Sequence, residues 1–84
     1  MNYALALEYA KKNELAKAIQ IIEVIIAKDQ EYLPSYYQLG KFYELANQLD
    51  KAINIYKQGV LIAQKHKNTK TLNELNEAIF LIEE

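Results

Sequence analysis

The chain of 84 residues contains no cysteine and no arginine, and it has a single proline, a single serine and a single histidine. Without cysteine it can form neither a disulfide framework nor a thiolate metal site. His66 has no carboxylate at a helical metal-binding spacing, and Ser35 follows Pro34 without forming a nucleophile elbow. No glycine-rich phosphate loop is present either. We therefore expect a protein that is not an enzyme and that takes no metal, no cofactor and no small-molecule substrate.

Charge is nearly balanced, because ten lysines face eleven acidic residues and give a formal net charge of -1. Lys65, His66, Lys67 and Lys70 form a small basic cluster that, with seven tyrosines, could suggest RNA binding. Cations at the C-terminus of a helix, however, complement its dipole, and the chain offers neither arginine nor a positive field. We expect no nucleic-acid partner, and RNA binding stays a third alternative.

No apolar run approaches the roughly 18 residues that a membrane-spanning helix needs, and the N-terminus lacks the pattern of a secretory signal. These features predict a cytoplasmic protein with no membrane partner. The length predicts one small domain that buries about 60% of the surface of its unfolded chain. The sequence leaves open whether Met1 is the natural start, because the first helix begins abruptly at Asn2 and could follow a lost upstream helix.

Hydrophobic periodicity predicts five helices, in which apolar residues recur at three- and four-residue spacing. Asparagine tolerates the left-handed backbone that ends a helix, so Asn13 and Asn47 are expected to end the first and third helices. Thr71 with Glu74 resembles a capping box at the start of the fifth helix. The predicted helices run from about Asn2 to Asn13, Leu15 to Lys28, Pro34 to Ala46, Leu49 to His66, and from about 69 to 83.

The sequence repeats itself after 34 residues, and Leu72, Leu75 and Ile79 echo the start of the second copy. A period of this length indicates stacked helical hairpins, with the fifth helix as a cap. The matched pairs are Tyr3 with Tyr37, Leu5 with Leu39, Tyr9 with Tyr43, Asn13 with Asn47, Leu15 with Leu49, Lys17 with Lys51, Ala18 with Ala52, Ile19 with Ile53 and Ile21 with Ile55.

The second copy resembles the tetratricopeptide repeat, whose motif is met by Tyr36, Leu39, Gly40, Tyr43, Ala52 and Tyr56. The first copy is weaker, with Asn2 in the opening aromatic slot and Ala6 for the glycine. The resemblance spans the chain, extends to small bacterial proteins built in this way, and implies an all-α stack of the α-solenoid type, with two hairpins plus a C-terminal capping helix. Expected bounds are one domain over 1–84, with repeats at about 1–32 and 33–66 and the capping helix at about 69–83.

In the resembled family, the first helix of each hairpin lines a concave surface that binds partner segments. Tyr3 and Tyr37 are the expected anchors, because aromatic side chains supply much of the binding energy at such interfaces. Glu44 is expected to select for charge. The resemblance implies a peptide-binding groove of Tyr3, Leu7, Lys11, Tyr37, Lys41 and Glu44, continued by Asn73 and Glu77.

Some apolar residues exceed what one core face needs, which suggests a second interpretation. Such patches favour self-association, although single exposed hydrophobic residues are also normal. The leading hypothesis is a non-enzymatic module that binds another protein or peptide, and the alternative is a structural homodimer or assembly subunit. The residues predicted for self-association are Ile21, Val24, Ile25, Phe80 and Leu81.

Overall fold

The computed structural model describes residues 2–84, and Met1, which the predicted domain includes, lies outside them. Each helix packs on the next one along the chain. The predicted fold class, an all-α stack of helical hairpins with a final single helix, is confirmed. The five helices are α1 (Tyr3–Lys11), α2 (Leu15–Lys28), α3 (Pro34–Leu45), α4 (Leu49–Lys65) and α5 (Thr69–Glu83).

An asparagine in left-handed backbone ends the first helix of each hairpin, with φ of 63° at Asn13 and 59° at Asn47. A short polar side chain tolerates this conformation better than most residues do. In both turns the following amide donates to the carbonyl five residues back, from Glu14 to Tyr9 at 2.9 Å and from Gln48 to Tyr43 at 2.8 Å. The two predicted asparagine turns are thus confirmed.

The second hairpin closes where Gly40 of α3 meets Tyr56 of α4. A Cβ atom at Gly40 would overlap the Tyr56 ring, which is completely buried. In the first hairpin the equivalent positions hold Ala6 and Ile22, which are also completely buried. Because isoleucine is narrower than tyrosine, the first pair leaves room for a methyl group that the second pair excludes.

A second close approach of helices occurs at Gly59 of α4. A Cβ atom there would lie 2.7 Å from Cβ of Tyr36 and 3.1 Å from Cδ1 of Leu75. Gly59 therefore lets α4 sit close to both α3 and α5. The buried core connects these contacts and includes Ala18, Leu39, Phe42, Ala52, Ala63 and Ala78.

Two expectations from the sequence, the capping box at Thr71 and the exposed position of Ile21, are corrected here. The α5 helix begins at Thr69 and is capped by Asn68, whose side chain accepts a hydrogen bond from the Thr71 amide at 3.0 Å. The capping box predicted at Thr71 is wrong, because Thr71 is already inside the first turn. Ile21 was expected on a surface for self-association, but it is only 6% exposed and belongs to the core.

None of the helices within residues 2–84 combines the length and the apolar character that crossing a bilayer requires. Over the same residues, no group of three or more histidine, aspartate or glutamate side chains is arranged as a set of metal ligands.

Candidate functional site

The third helix brings together three of the predicted groove residues. The Lys41 ammonium lies 5.3 Å from the centroid of the Tyr37 ring, within the range of a cation–π contact. The same ammonium is 3.8 Å from a Glu44 carboxylate oxygen. Because these residues are spaced by three or four positions on one helix, their side chains share one face of α3.

Glu44 and Tyr37 are themselves held by α4. The buried Tyr56 hydroxyl donates to Glu44 Oε2, and the Tyr37 and Tyr56 rings lie at 43° with centroids 6.1 Å apart. Burial, followed by the hydrogen bond to Glu44, raises the pKa of Tyr56 above its ordinary value. The hairpin core therefore positions Glu44, which in turn lies beside the Lys41 ammonium.

A depression of about 200 Å³ lies between α3 and α5, and we call it the α3–α5 groove. Its volume is smaller than that of most small-molecule pockets, which hold about 300–1,000 Å³, so it suits one or two side chains. The residues that line the α3–α5 groove are Tyr37, Lys41, Glu74, Glu77, Ala78 and Leu81.

The charge of the α3–α5 groove is unbalanced. Glu74 and Glu77 are exposed, and neither forms an ion pair within the part of the chain that the structure describes. The single cation of the groove, Lys41, already has Glu44 beside it. The groove thus combines an aromatic and aliphatic lining with a surplus of negative charge.

The predicted groove residues of α1 lie outside this depression. Tyr3 is half-buried, its hydroxyl is 3.4 Å from Gln38 Oε1, and its ring meets that of Tyr32 edge-on at 6.0 Å. Burial and the nearby Tyr32 raise the pKa of Tyr3. Leu7 packs against the core, and Lys11 is exposed beside Glu8. Tyr3 therefore links α1 directly to α3.

The residues that α5 contributes to the α3–α5 groove differ from those that the sequence predicted. Leu81, predicted for self-association, lines the α3–α5 groove and is 60% exposed. Glu77 was predicted for the groove and lies there, whereas Asn73 does not line it. Glu74 and Ala78 were not predicted. A signal for them exists in the chain, because Glu74, Ala78 and Leu81 follow one another at helical spacing.

The other residues predicted for self-association differ in how far they are exposed. Val24 and Ile25 on α2 are partly buried, and Ile25 packs against the core. Phe80 is 65% exposed and does not line the α3–α5 groove. Of the residues predicted for self-association, Ile21 is thus buried, Val24 and Ile25 are partly buried, and Phe80 and Leu81 of α5 are exposed.

The basic cluster at the end of α4 makes internal ion pairs. Lys65 Nζ donates to one Glu31 oxygen at 2.7 Å, and His66 Nε2 lies 2.7 Å from the other. Hydrogen bonds from Lys65 and then from His66 lower the pKa of Glu31. These contacts join the end of α4 to the connection between α2 and α3.

Comparison with known proteins agrees with this architecture. The family model of the tetratricopeptide repeat matches residues 2–74. Two solved structures of a tetratricopeptide repeat domain protein from Salinibacter ruber are each 37% identical to the chain and cover 96% of it. The solution NMR structure has a TM-score of 0.92 over 82% of its own length, and the crystal structure has 0.87 over 90%. No curated protein matches the chain significantly.

The chain belongs to the tetratricopeptide repeat family. Domains of this family are generally protein-interaction modules and are typically non-catalytic. Relatives of the chain are found in bacteria.

Proposed function

We propose that the protein is a non-enzymatic adaptor that binds a segment of a partner polypeptide in the α3–α5 groove. One observation carries this proposal: Tyr37, Lys41 and Leu81 line a single depression together with two carboxylates that form no ion pair within residues 2–84. The aromatic and aliphatic side chains supply apolar area, and Tyr37 is the anchor because large rigid side chains dominate such interfaces. Tyr3, Leu7 and Lys11 extend the contact surface along α1.

The charge of the groove defines the chemistry of the segment. A bound segment would bury part of the surface around Glu74 and Glu77, and an unpaired buried charge is costly. The segment is therefore expected to carry a lysine or arginine near an apolar side chain. Glu44, which accepts from Tyr56, acts in this proposal by orienting Lys41 toward a carbonyl or carboxylate of the same segment.

A tagged pull-down from the native lysate tests the proposal. The test variant is the double substitution Tyr37→Ala with Lys41→Glu. A matched control on the exposed side of α4 is Leu61→Ala with Lys57→Glu, since Leu61 is exposed and Lys57 makes only a loose ion pair at 3.8 Å. Circular dichroism must show that both variants are folded.

We expect one distinct protein to be captured by the wild type and by the control, and to be lost with the groove variant. A synthetic segment of the captured protein should then bind the wild type and the control alike. If both variants capture the partner equally well, binding in the α3–α5 groove is refuted.

A second candidate function, self-association, is favoured by Phe80, which is 65% exposed and lies outside the α3–α5 groove. Dimerisation through this residue would follow mass action, so the apparent mass in light scattering would rise with protein concentration. The substitution Phe80→Glu should then give a monomer at every concentration. A wild type that stays monomeric over the same range removes this candidate.

A further inference from the structure

The N-terminal end of the stack carries a depression that repeats one found between α2 and α4. The internal repeat of 34 residues relates the two, so that Tyr9 corresponds to Tyr43 and Lys17 to Lys51. The first depression is lined by Leu5, Tyr9, Lys17, Gln20 and Ile21, and we call it the N-terminal face. The second is lined by Glu23, Tyr43, Lys51, Asn54, Ile55 and Gln58.

The two depressions agree in detail. Lys17 Nζ lies 5.4 Å from the Tyr9 ring centroid, and Lys51 Nζ lies 5.9 Å from the Tyr43 ring centroid. Ile21 lies at the base of the N-terminal face, in the position that Ile55 has in the second depression, and both are buried. The N-terminal face therefore repeats, on α1 and α2, the surface that Tyr43, Lys51 and Ile55 form on α3 and α4.

In the second copy, α2 covers the equivalent surface. Leu39 is 2% exposed, and one turn later the Tyr43 hydroxyl donates to Glu23 of α2 at 2.6 Å. Leu5, the equivalent of Leu39, is 44% exposed. Within residues 2–84 the Tyr9 hydroxyl has no hydrogen-bond partner. Among the described residues, none gives α1 the apolar cover and the carboxylate that α2 gives α3.

We infer that the N-terminal face docks an amphipathic helix of a partner protein that presents a carboxylate to the Tyr9 hydroxyl, in the way that α2 presents Glu23 to Tyr43. The packing of α2 on α3 is the template for how this helix would lie on α1. The repeat specifies the polar group, because Tyr9 holds the position of Tyr43, whose hydroxyl donates to Glu23, whereas the Lys17 ammonium already has the Glu14 carboxylate at 3.0 Å. In α2, Glu23 lies beside the core residue Ile22 and beside Ile26, which packs against the core, so the docking helix should carry the same apolar–carboxylate pattern.

A second copy of this chain fits the N-terminal face poorly. In the stack, α2 and α4 are equivalent helices, but α4 carries Lys57 where α2 carries Glu23, so its charge is reversed. The α2 helix itself is occupied, since Ile21 and Ile22 are core residues. The last helix of the described chain, α5, corresponds to α3, and stacking it on α1 would break the alternation of the two helix types.

The test uses a synthetic peptide with the sequence of residues 14–29, with added lysines for solubility and a fluorescent label, as the probe. Fluorescence anisotropy measures its affinity for the protein. We expect saturable binding that Leu5→Lys weakens at least tenfold, because this substitution places a charge under the docking helix. The groove variant Tyr37→Ala with Lys41→Glu should bind the peptide normally, which separates this inference from the proposed function.

The carboxylate is tested by a double-mutant cycle. A peptide with Gln in place of the glutamate at position 23 should bind the wild type several-fold more weakly, because hydrogen bonds to charged groups are the stronger ones. Against Tyr9→Phe the two peptides should bind equally. The variant Tyr43→Phe is the control, since it alters affinity only if the peptide displaces α2 from its own site.

The inference is overturned if the peptide does not bind, if Leu5→Lys leaves its affinity unchanged, or if Tyr43→Phe and not Tyr9→Phe changes it. Sedimentation equilibrium of the protein alone completes the test. A monomer that stays monomeric agrees with the inference. A dimer that Leu5→Lys dissociates would show that a second copy occupies the N-terminal face, which contradicts it.

Discussion

The ring of Tyr56 lies in the space that a methyl group on Gly40 would fill. Gly40 is therefore required for close approach of α3 and α4, and its backbone has an ordinary helical conformation. Alanine is the better helix former by about 1 kcal/mol, but here the steric overlap decides. We predict that Gly40→Ala lowers the free energy of unfolding by about 1–3 kcal/mol, measured by urea denaturation.

The first hairpin supplies the control for this prediction. Its equivalent pair is Ala6 with Ile22, so the double variant Gly40→Ala with Tyr56→Ile reproduces that arrangement. The second substitution should recover part of the stability that Gly40→Ala loses. If the effects of Gly40→Ala and Tyr56→Ile on the free energy of unfolding simply add, the packing explanation is wrong, because residues in contact should show coupling.

Ser35 is completely buried, and its hydroxyl has no hydrogen-bond partner among residues 2–84. A buried polar group without a partner costs about 1–3 kcal/mol. We predict that Ser35→Ala raises the free energy of unfolding by about 1 kcal/mol and raises the thermal midpoint. Ser35→Gly, which removes the Cβ atom as well, should instead destabilise α3. A decrease in stability for Ser35→Ala would show that the hydroxyl is satisfied.

Alkaline pH should destabilise the fold through Tyr43. Burial and the hydrogen bond to Glu23 raise the pKa of Tyr43 to about 12, whereas in the unfolded chain it ionises near 10.0. Above pH 10.0 the unfolded state therefore binds fewer protons than the folded state, and stability falls as pH rises toward about 12. The raised pKa of Tyr56 acts in the same direction.

Urea denaturation at a series of pH values measures this dependence. The variant Tyr43→Phe should show a shallower loss of stability between pH 10 and 12 than the wild type, since the titrating group is gone. Equal slopes for the two proteins would contradict the assignment. Tyr9→Phe serves as the matched control, because in the described part of the chain no carboxylate accepts from the Tyr9 hydroxyl, whereas Glu23 accepts from Tyr43.

The hairpin repeat could be predicted from the sequence because its signals are local. Helical periodicity and the asparagines at positions 13 and 47 depend on neighbouring residues, and the structure confirms both. The third left-handed residue, Lys67 with φ of 57°, was not predicted, because lysine carries no preference for that conformation. The Asn68 cap was missed for a similar reason: Thr71 with Glu74 offered a competing local pattern.

The candidate site was harder to predict, because it depends on how each helix is rotated about its axis. The groove positions of the family indicated Tyr37, Lys41 and Glu77, which line the α3–α5 groove. Leu81 also lines it, but the sequence predicted this residue for self-association. The sequence of α2 is apolar on most sides of the helix and does not show which side faces the core. Ile21, which is buried, was therefore predicted on the surface. The contact of Glu23 with Tyr43 joins residues that are 20 positions apart, and no local pattern indicates it.

The central claim is that the α3–α5 groove binds a polypeptide segment, and mapping that segment by NMR tests it most directly. Peptides selected from a random display library on the wild-type protein would serve as the probe, titrated into isotope-labelled protein. The account predicts selected sequences that pair a basic with an apolar residue, and shift changes centred on Tyr37, Lys41, Glu77 and Leu81. Changes centred elsewhere on the protein, or selected sequences that are acidic, would contradict it.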